Sequence, residues 1–261
     1  MKVSIIIPVY NHEKYVAEAI QSALDQTHDV EVIVVNDGST DDSLAVAASF
    51  GNRITIVDQK NMGLSSARNA GVLAANGEFI LPLDSDDRVD PHYIEKTLPL
   101  MEDPQVAVVT THVKYFGRYQ HTWRILEEPK LEILVKRNLL VCTALIRRAV
   151  LEEIGGWNPA MDQGYEDWNL WIDIAKRGWK FKIVRELLFF YRVKETSMAT
   201  EARKNHDHIL KQMHALHPDL YAELSVKEHG ELLFPGQIPG KPETKFLRIG
   251  GRLWPIPTKT K

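Results

Sequence analysis

One cysteine, Cys142, occurs in 261 residues. A single thiol closes no internal disulfide and builds no cysteine zinc site, which points to a reducing compartment. No apolar run reaches the ~20 residues that a helix needs to cross a bilayer. The opening Met1-Lys2-Val3-Ser4-Ile5-Ile6-Ile7-Pro8 is too short and too β-branched for a secretory leader and reads as a strand that begins at once. These absences predict a cytoplasmic protein, compatible with peripheral contact at the inner membrane face. The net charge of -3 lacks the basic excess of a nucleic-acid binder. Also missing is a glycine-rich phosphate loop. Pro8-Val9-Tyr10-Asn11 stands where a dinucleotide fold carries its glycine fingerprint, which argues against a dehydrogenase. No G-x-G-T-R stretch near the N-terminus supports a nucleotidyltransferase. His12-Glu13 has Val16 four residues after His12, so it is no zinc-protease motif.

What is present is an alternation. Val3 to Ile7 is an apolar run rich in β-branched residues, suited to a strand covered on both faces. Tyr15, Ala19, Ile20, Ala23 and Leu24 then recur at helical spacing. Strands are predicted at Glu31 to Val35, Ile54 to Val57 and Phe79 to Leu83, with helices at Ser43 to Phe50 and Leu64 to Ala75. Four strand–helix repeats predict an α/β fold with a mostly parallel sheet. The second half is less regular. Helices are predicted at Tyr93 to Met101, Ala149 to Ile154, Glu166 to Arg177 and Lys204 to Leu216, and strands at Val106 to Val113 and Leu139 to Ile146. Residues 114–135 are mixed. From Phe234 onward Pro and Gly are frequent, and Lys241, Lys245, Arg248, Arg252, Lys259 and Lys261 are opposed only by Glu243. This tail reads as a basic appendage.

In an open α/β sheet, ligands bind beyond the C-terminal ends of the strands. Four polar segments fall there: Pro8 to Asn11, Asn36 to Ser39, Lys60 to Asn69 and Asp84 to Asp87. The last carries three carboxylates in four residues. Hard oxygen donors at that density suit Mg²⁺ or Mn²⁺. An acidic turn capping the helix near Pro91 is the alternative reading. Asp37 before Gly38 likewise reads as a ligand or as a turn former, and Asp167 as a catalytic carboxylate or as a first-turn helix acid. Arg68 lies early in a helix, where a cation gains nothing from the dipole, which favours an anionic partner. Gly63, Ser65 and Ser66 leave room for backbone amides to approach a phosphate.

Taken together, several segments resemble the family 2 glycosyltransferases. These are Val3-Ser4-Ile5-Ile6-Ile7-Pro8-Val9-Tyr10-Asn11, Val34-Val35-Asn36-Asp37-Gly38-Ser39-Thr40-Asp41, Asn61 to Gly71, Gly77 to Asp87, and Gly155-Gly156-Trp157 followed by Tyr165-Glu166-Asp167-Trp168. They occur in family order over residues 1–195. The resemblance implies a GT-A fold, a Rossmann-like mixed and mostly parallel sheet flanked by helices. Residues 1–110 would form the donor half, 111–200 the acceptor-binding and catalytic half of the same domain, and 201–261 a C-terminal appendage. It implies an inverting transferase that moves a sugar from a nucleoside-diphosphate sugar, a UDP-sugar before GDP or dTDP, to an acceptor hydroxyl. Pro8 and Tyr10 would lie on the base, Asp37 would accept from it, and Arg68 would reach the base edge or the diphosphate. Asp84 would sit near the ribose, and Asp86 would ligate Mn²⁺ or Mg²⁺, while Asp87 would point away. Asp167 would be the general base, with Glu166 and Trp168 on the acceptor side.

One position departs from the pattern. Relatives carry Tyr-Arg-x-His after the last core strand, where this chain has Tyr191-Arg192-Val193-Lys194. A charged lysine is no metal ligand; it can pair with diphosphate directly. Metal dependence therefore stays open. His206, His208, His214 and His217 read as a solvated helix face. The alternative function is a non-catalytic nucleotide-sugar-binding or assembly subunit that keeps the fold. The acceptor, whether glycan, lipid-linked sugar or another hydroxyl compound, has no motif, and the tail offers a surface for a membrane or for self-association.

Overall fold

The computed structural model describes residues 1–195 and 197–221, together with the backbone of 244–249 and 252–257. In chain order the first part runs β1 (Val3–Val9), α1 (Val16–Leu24), β2 (Val30–Asp37), α2 (Ser43–Ala48), β3 (Thr55–Gln59), α3 (Leu64–Ala74), β4 (Phe79–Pro82), β5 (Arg88–Val89) and α4 (Tyr93–Thr97). It continues with β6 (Val106–Gly117), β7 (His121–Trp123), α5 (Leu131–Leu134), β8 (Leu145–Arg147), α6 (Arg148–Ile154), α7 (Glu166–Lys176) and β9 (Lys180–Val193). Helices α8 (Met198–Lys204), α9 (His206–Leu216) and α10 (Pro218–Tyr221) follow, then the hairpin β10 (Thr244–Ile249) and β11 (Arg252–Pro257).

Nine strands form one sheet in the order β3-β2-β1-β4-β8-β6-β9-β5, with β7 on β6. Strands β3, β2, β1 and β4 are parallel, β8 runs against both β4 and β6, and β9 is parallel to β6. Every residue of β1 is buried, as an uninterrupted apolar strand requires when both faces are covered. Its side chains alternate between two cores. Ile6 joins Ile33, Ile80, Val108 and the helices α3, α6 and α7, whereas Ile5 and Ile7 join Val34, Leu81, Val109 and the helices α1, α2 and α4. This is a helix–sheet–helix sandwich of the GT-A type.

Several expectations change. The helix predicted over Tyr93 to Met101 is α4 followed by a 3₁₀ turn at Leu98–Glu102, because Pro99 lacks the N–H that an α-helix would continue through. The strand predicted over Leu139 to Ile146 is regular only at β8. The helix predicted over Lys204 to Leu216 is α9, which starts at His206 after a break at Asn205 that separates it from α8. Residues 201–221 are no appendage, since Ala202, Ile209, Leu210 and Met213 are buried in the same core as Trp168 and Trp171. The histidine face is not solvated either. His217 is 3% exposed and bonds Asn169 Oδ1 at 2.9 Å, His214 stacks on Tyr221, His206 meets the Tyr165 hydroxyl at 3.2 Å, and His208 is exposed. The tail's basic side chains lie outside the described residues. Among the described residues no helix is long and apolar enough to cross a membrane.

Candidate functional site

The strand ends converge on one cavity of about 460 Å³. Its walls include Pro8 near the end of β1, Tyr10 and His12 just after it, Asp37 at the end of β2, Asp84 to Asp87 after β4, Leu140 to Thr143 before β8, Glu166 and Asp167 at the start of α7, and Lys194 after β9. Arg68 and Trp168 do not line it.

Asp37 is 3% exposed and anchors the adjoining loop. Its Oδ1 accepts from Gln59 Nε2 at 2.7 Å and from the Met62 amide at 2.9 Å, and its Oδ2 accepts from the Gly63 amide at 2.9 Å. A carboxylate offers about four acceptor sites, so one remains toward the cavity. The Gly63 amide, expected to face a phosphate, is thus already bound. Gly38 has φ +71, and a Cβ there would lie 2.7 Å from the Asn61 nitrogen, so only glycine lets this loop close against Asp37. Tyr10 stands at the mouth, 47% exposed.

Arg68, expected at the base edge or the diphosphate, is instead 1% exposed beneath the cavity floor. Its Nη2 donates to Asp84 Oδ1 at 2.7 Å and its Nη1 to Glu166 Oε1 at 2.6 Å. Burial alone would lower its pKa, and the neighbouring anions, Asp84 foremost, outweigh that. Asn69, one residue on, accepts from the Trp157 amide and donates to the Trp157 carbonyl, at 2.9 and 2.8 Å. A Cβ on Gly156 would fall 2.3 Å from Asn69 Oδ1. The paired segments around Arg68-Asn69 and Gly155-Gly156-Trp157 are therefore partners in packing.

The acidic cluster divides. Asp87 is buried and accepts from the Arg192 amide at 2.7 Å, while Arg192 Nε donates to the Asp86 carbonyl at 2.7 Å. Burial, with Asp86 and Asp84 beside it, holds the Asp87 carboxyl well above its ordinary range. Asp84 keeps one oxygen for the cavity. Asp86 Oδ2 is 2.6 Å from Lys194 Nζ. Lys194 also meets His12 Nε2 at 3.1 Å, and His12 Nδ1 is 2.7 Å from Ser85 Oγ. A Mg²⁺ or Mn²⁺ ion takes several oxygen ligands. Among the described residues no group of three His, Cys, Asp or Glu side chains is placed to hold a metal ion. The residues around Asp86 offer an ammonium where such an ion would need a second donor, so the donor set does not fit one.

At α7 the chain passes through Gly164 at φ +118 and Tyr165 at φ +60 before the helix begins. Left-handed backbone at a non-glycine costs roughly 1–2 kcal/mol. The Tyr165 ring is packed against Trp168 and bonded to His206, which holds it there. The kink presents Glu166 and Asp167 to the cavity. Asp167 accepts from Asn138 Nδ2 at 3.2 Å. Burial, then the charge of Glu166, pushes its carboxyl up to about 7, against the opposing pull of Arg68. Trp168, expected on the acceptor side, is a core residue: it is 0% exposed and its Nε1 donates to the Leu134 carbonyl at 2.6 Å.

Several lining residues were not anticipated. His12, Cys142, Tyr115 and the turn of α8 near Met198 have no local signature, and Tyr191 carried one only as part of the Tyr191-Arg192 pair. His12 does sit two residues beyond Tyr10 at a strand end, which is a weak positional cue.

Residues 4–155, more than half of the chain, match the model for glycosyl transferase family 2. The chain belongs to glycosyltransferase family 2. A putative glycosyltransferase of Bacillus subtilis, EpsH, is 41% identical over 118 residues, which is 44% of this chain and 34% of that protein. An uncharacterized glycosyltransferase of Nostoc sp. is 32% identical over 216 residues, 74% of this chain and 65% of its own length. The chain thus spans about one third to two thirds of these curated relatives. Among solved structures, S. aureus TarS 1-349 in complex with UDP-GlcNAc matches with a TM-score of 0.68 at 21% identity, over 88% of this chain and 69% of that one. Mannosyltransferase PcManGT from Pyrobaculum calidifontis, in complex with GDP-Man and Mn²⁺, matches with a TM-score of 0.65 at 20% identity, over 84% and 64%. At these identities the likeness is one of fold.

Proposed function

We propose that the protein transfers a sugar from a nucleoside-diphosphate sugar, a UDP-sugar first, to an acceptor hydroxyl with inversion. One observation carries this reading. A carboxylate poised near neutrality, Asp167, shares a single cavity with the strand-end residues Tyr10, Asp37, Asp84 and Asp86. A base with a pKa near the working pH is the effective one. Asp167 takes the proton from the acceptor hydroxyl as that oxygen attacks the anomeric carbon. The bond from that carbon to the diphosphate oxygen breaks, and its electron pair leaves with the diphosphate. Tyr10 and Pro8 stack on the base, Asp37 accepts from it, and Asp84 lies toward the ribose. Arg68 acts on the donor through Asp84, and Glu166 orients the start of α7. The UDP-GlcNAc and GDP-Man named for the two solved structures are donors of this class. Mn²⁺ or Mg²⁺, expected on Asp86, meets an ammonium there instead, since Lys194 Nζ is 2.6 Å from Asp86 Oδ2. The acceptor is a glycan, a lipid-linked sugar or another hydroxyl compound, met in the cytoplasm or at a membrane surface.

A donor screen by nucleotide release, run with and without Mn²⁺, tests this. Release of a nucleoside diphosphate from at least one donor is expected. Tight donor binding with no release in the presence of any acceptor would select a binding subunit instead, and no binding at all would end the donor assignment.

A further inference from the structure

Lys194 stands just beyond β9 with its ammonium between side chains from two other elements. Nζ is 2.6 Å from Asp86 Oδ2 and 3.1 Å from His12 Nε2. His12 is itself fixed: its backbone amide donates to Ser43 Oγ at 2.8 Å and its Nδ1 lies 2.7 Å from Ser85 Oγ. An ammonium has three protons and no lone pair, so it donates to Nε2, and His12 carries its own proton on Nδ1 toward Ser85. Two of the three ammonium protons are thereby spent, and the third is left for the cavity that Lys194 lines. The face of Tyr15 lies 5.5 Å from Nζ.

This lysine is not needed to shape the acidic loop. Arg192 already does so, through its amide on Asp87 and its Nε on the Asp86 carbonyl. What Lys194 adds is a positive charge, oriented by Asp86 and His12, inside the cavity.

We propose that Lys194 is the resident cation of the donor site and meets the diphosphate in place of a divalent metal, with Asp86 and His12 as its positioning residues. The proposal rests on the donor reading above. As the bond from the anomeric carbon to the diphosphate oxygen breaks, the electron pair goes to that oxygen, and the third ammonium proton hydrogen-bonds it without being transferred. The proton released in the reaction is the acceptor's and goes to Asp167. An ammonium at a phosphate is a point charge, and its hydrogen bonds are charge-assisted.

Calorimetric titration with UDP, GDP and dTDP, first in EDTA and then in Mn²⁺, decides it. The wild-type protein is expected to bind one of them in EDTA, with little change on adding Mn²⁺. Lys194→Ala should lose at least about tenfold in affinity in EDTA, the size of one charge-assisted hydrogen bond. In that variant Mn²⁺ should restore part of the loss, because Asp86 and His12 then present a carboxylate and an imidazole to the same point. Lys194→Arg should keep binding in EDTA. Wild-type binding that appears only with Mn²⁺ would overturn the role of Lys194 and leave the donor reading standing. Equal affinity of Lys194→Ala and wild type in EDTA would overturn it as well. No binding of any nucleotide, with or without Mn²⁺, would overturn both.

Discussion

Two cations hold the same acidic cluster, and they differ in what they leave unspent. Arg68 is fully buried, with one arm on Asp84 and the other on Glu166. Lys194 has a 20% exposed side chain and lines the cavity. Desolvating a guanidinium is costly, and only two well-aligned carboxylates offset it. Arg68 is therefore a strut joining the acidic cluster to the start of α7. Lys194 is proposed as a contact, because partial solvation would let its charge answer a ligand. Burial and free valence, rather than residue type, separate the two.

The largest effect concerns the proposed base, Asp167, beside the strut. Asp167→Asn should cut transfer by about 10²–10⁴-fold, the usual worth of general-base catalysis, with nucleotide affinity retained. Unchanged turnover, read by diphosphate release, would remove Asp167 from the chemistry. Next comes the contrast itself. Arg68→Met strands two carboxylates and should cost about 3–5 kcal/mol in urea unfolding, whereas Lys194→Met strands one, from a partly solvated pair, and should cost clearly less. Equal losses would erase the distinction.

A smaller effect lies in the pH profile. Asp167 must be ionised to act, so transfer should be present above about 7 and fall away as the pH drops through it. Glu166 raises that carboxyl and also occupies Arg68, so Glu166→Gln should move the midpoint down. An unmoved midpoint would separate α7 from the strut. Smallest is Tyr10→Ala at the exposed mouth, which should weaken nucleotide binding by about 1 kcal/mol, the scale of an aromatic stacking pair. No change by calorimetry would place the base elsewhere.

Much of the frame was legible. Apolar runs ending in polar residues located the strand ends, and periodicity located α1, α3 and α7. The distribution of contacts was not. The partners of Arg68 lie 16 and 98 residues away, and Lys194 meets His12 across 182 residues. Trp168 shares α7 with Asp167, and periodicity showed that one face is apolar without showing which residue turns to the cavity. The histidines from His206 to His217 looked solvated because polar residues surround them in sequence, while Asn169 and Tyr221 cover two of them in space.

Sequence alone determined the alternation of elements, the kinds of side chain delivered to each strand end, and membership of a family. Tertiary structure decided which charge meets which: that Arg68 is sealed between Asp84 and Glu166, and that Lys194 stands against Asp86. The reason is physical. Strand ends follow from local patterns of apolar and polar residues, whereas the energy of a charge pair depends on separations of a few ångströms and on the surrounding dielectric, which only the packed chain sets.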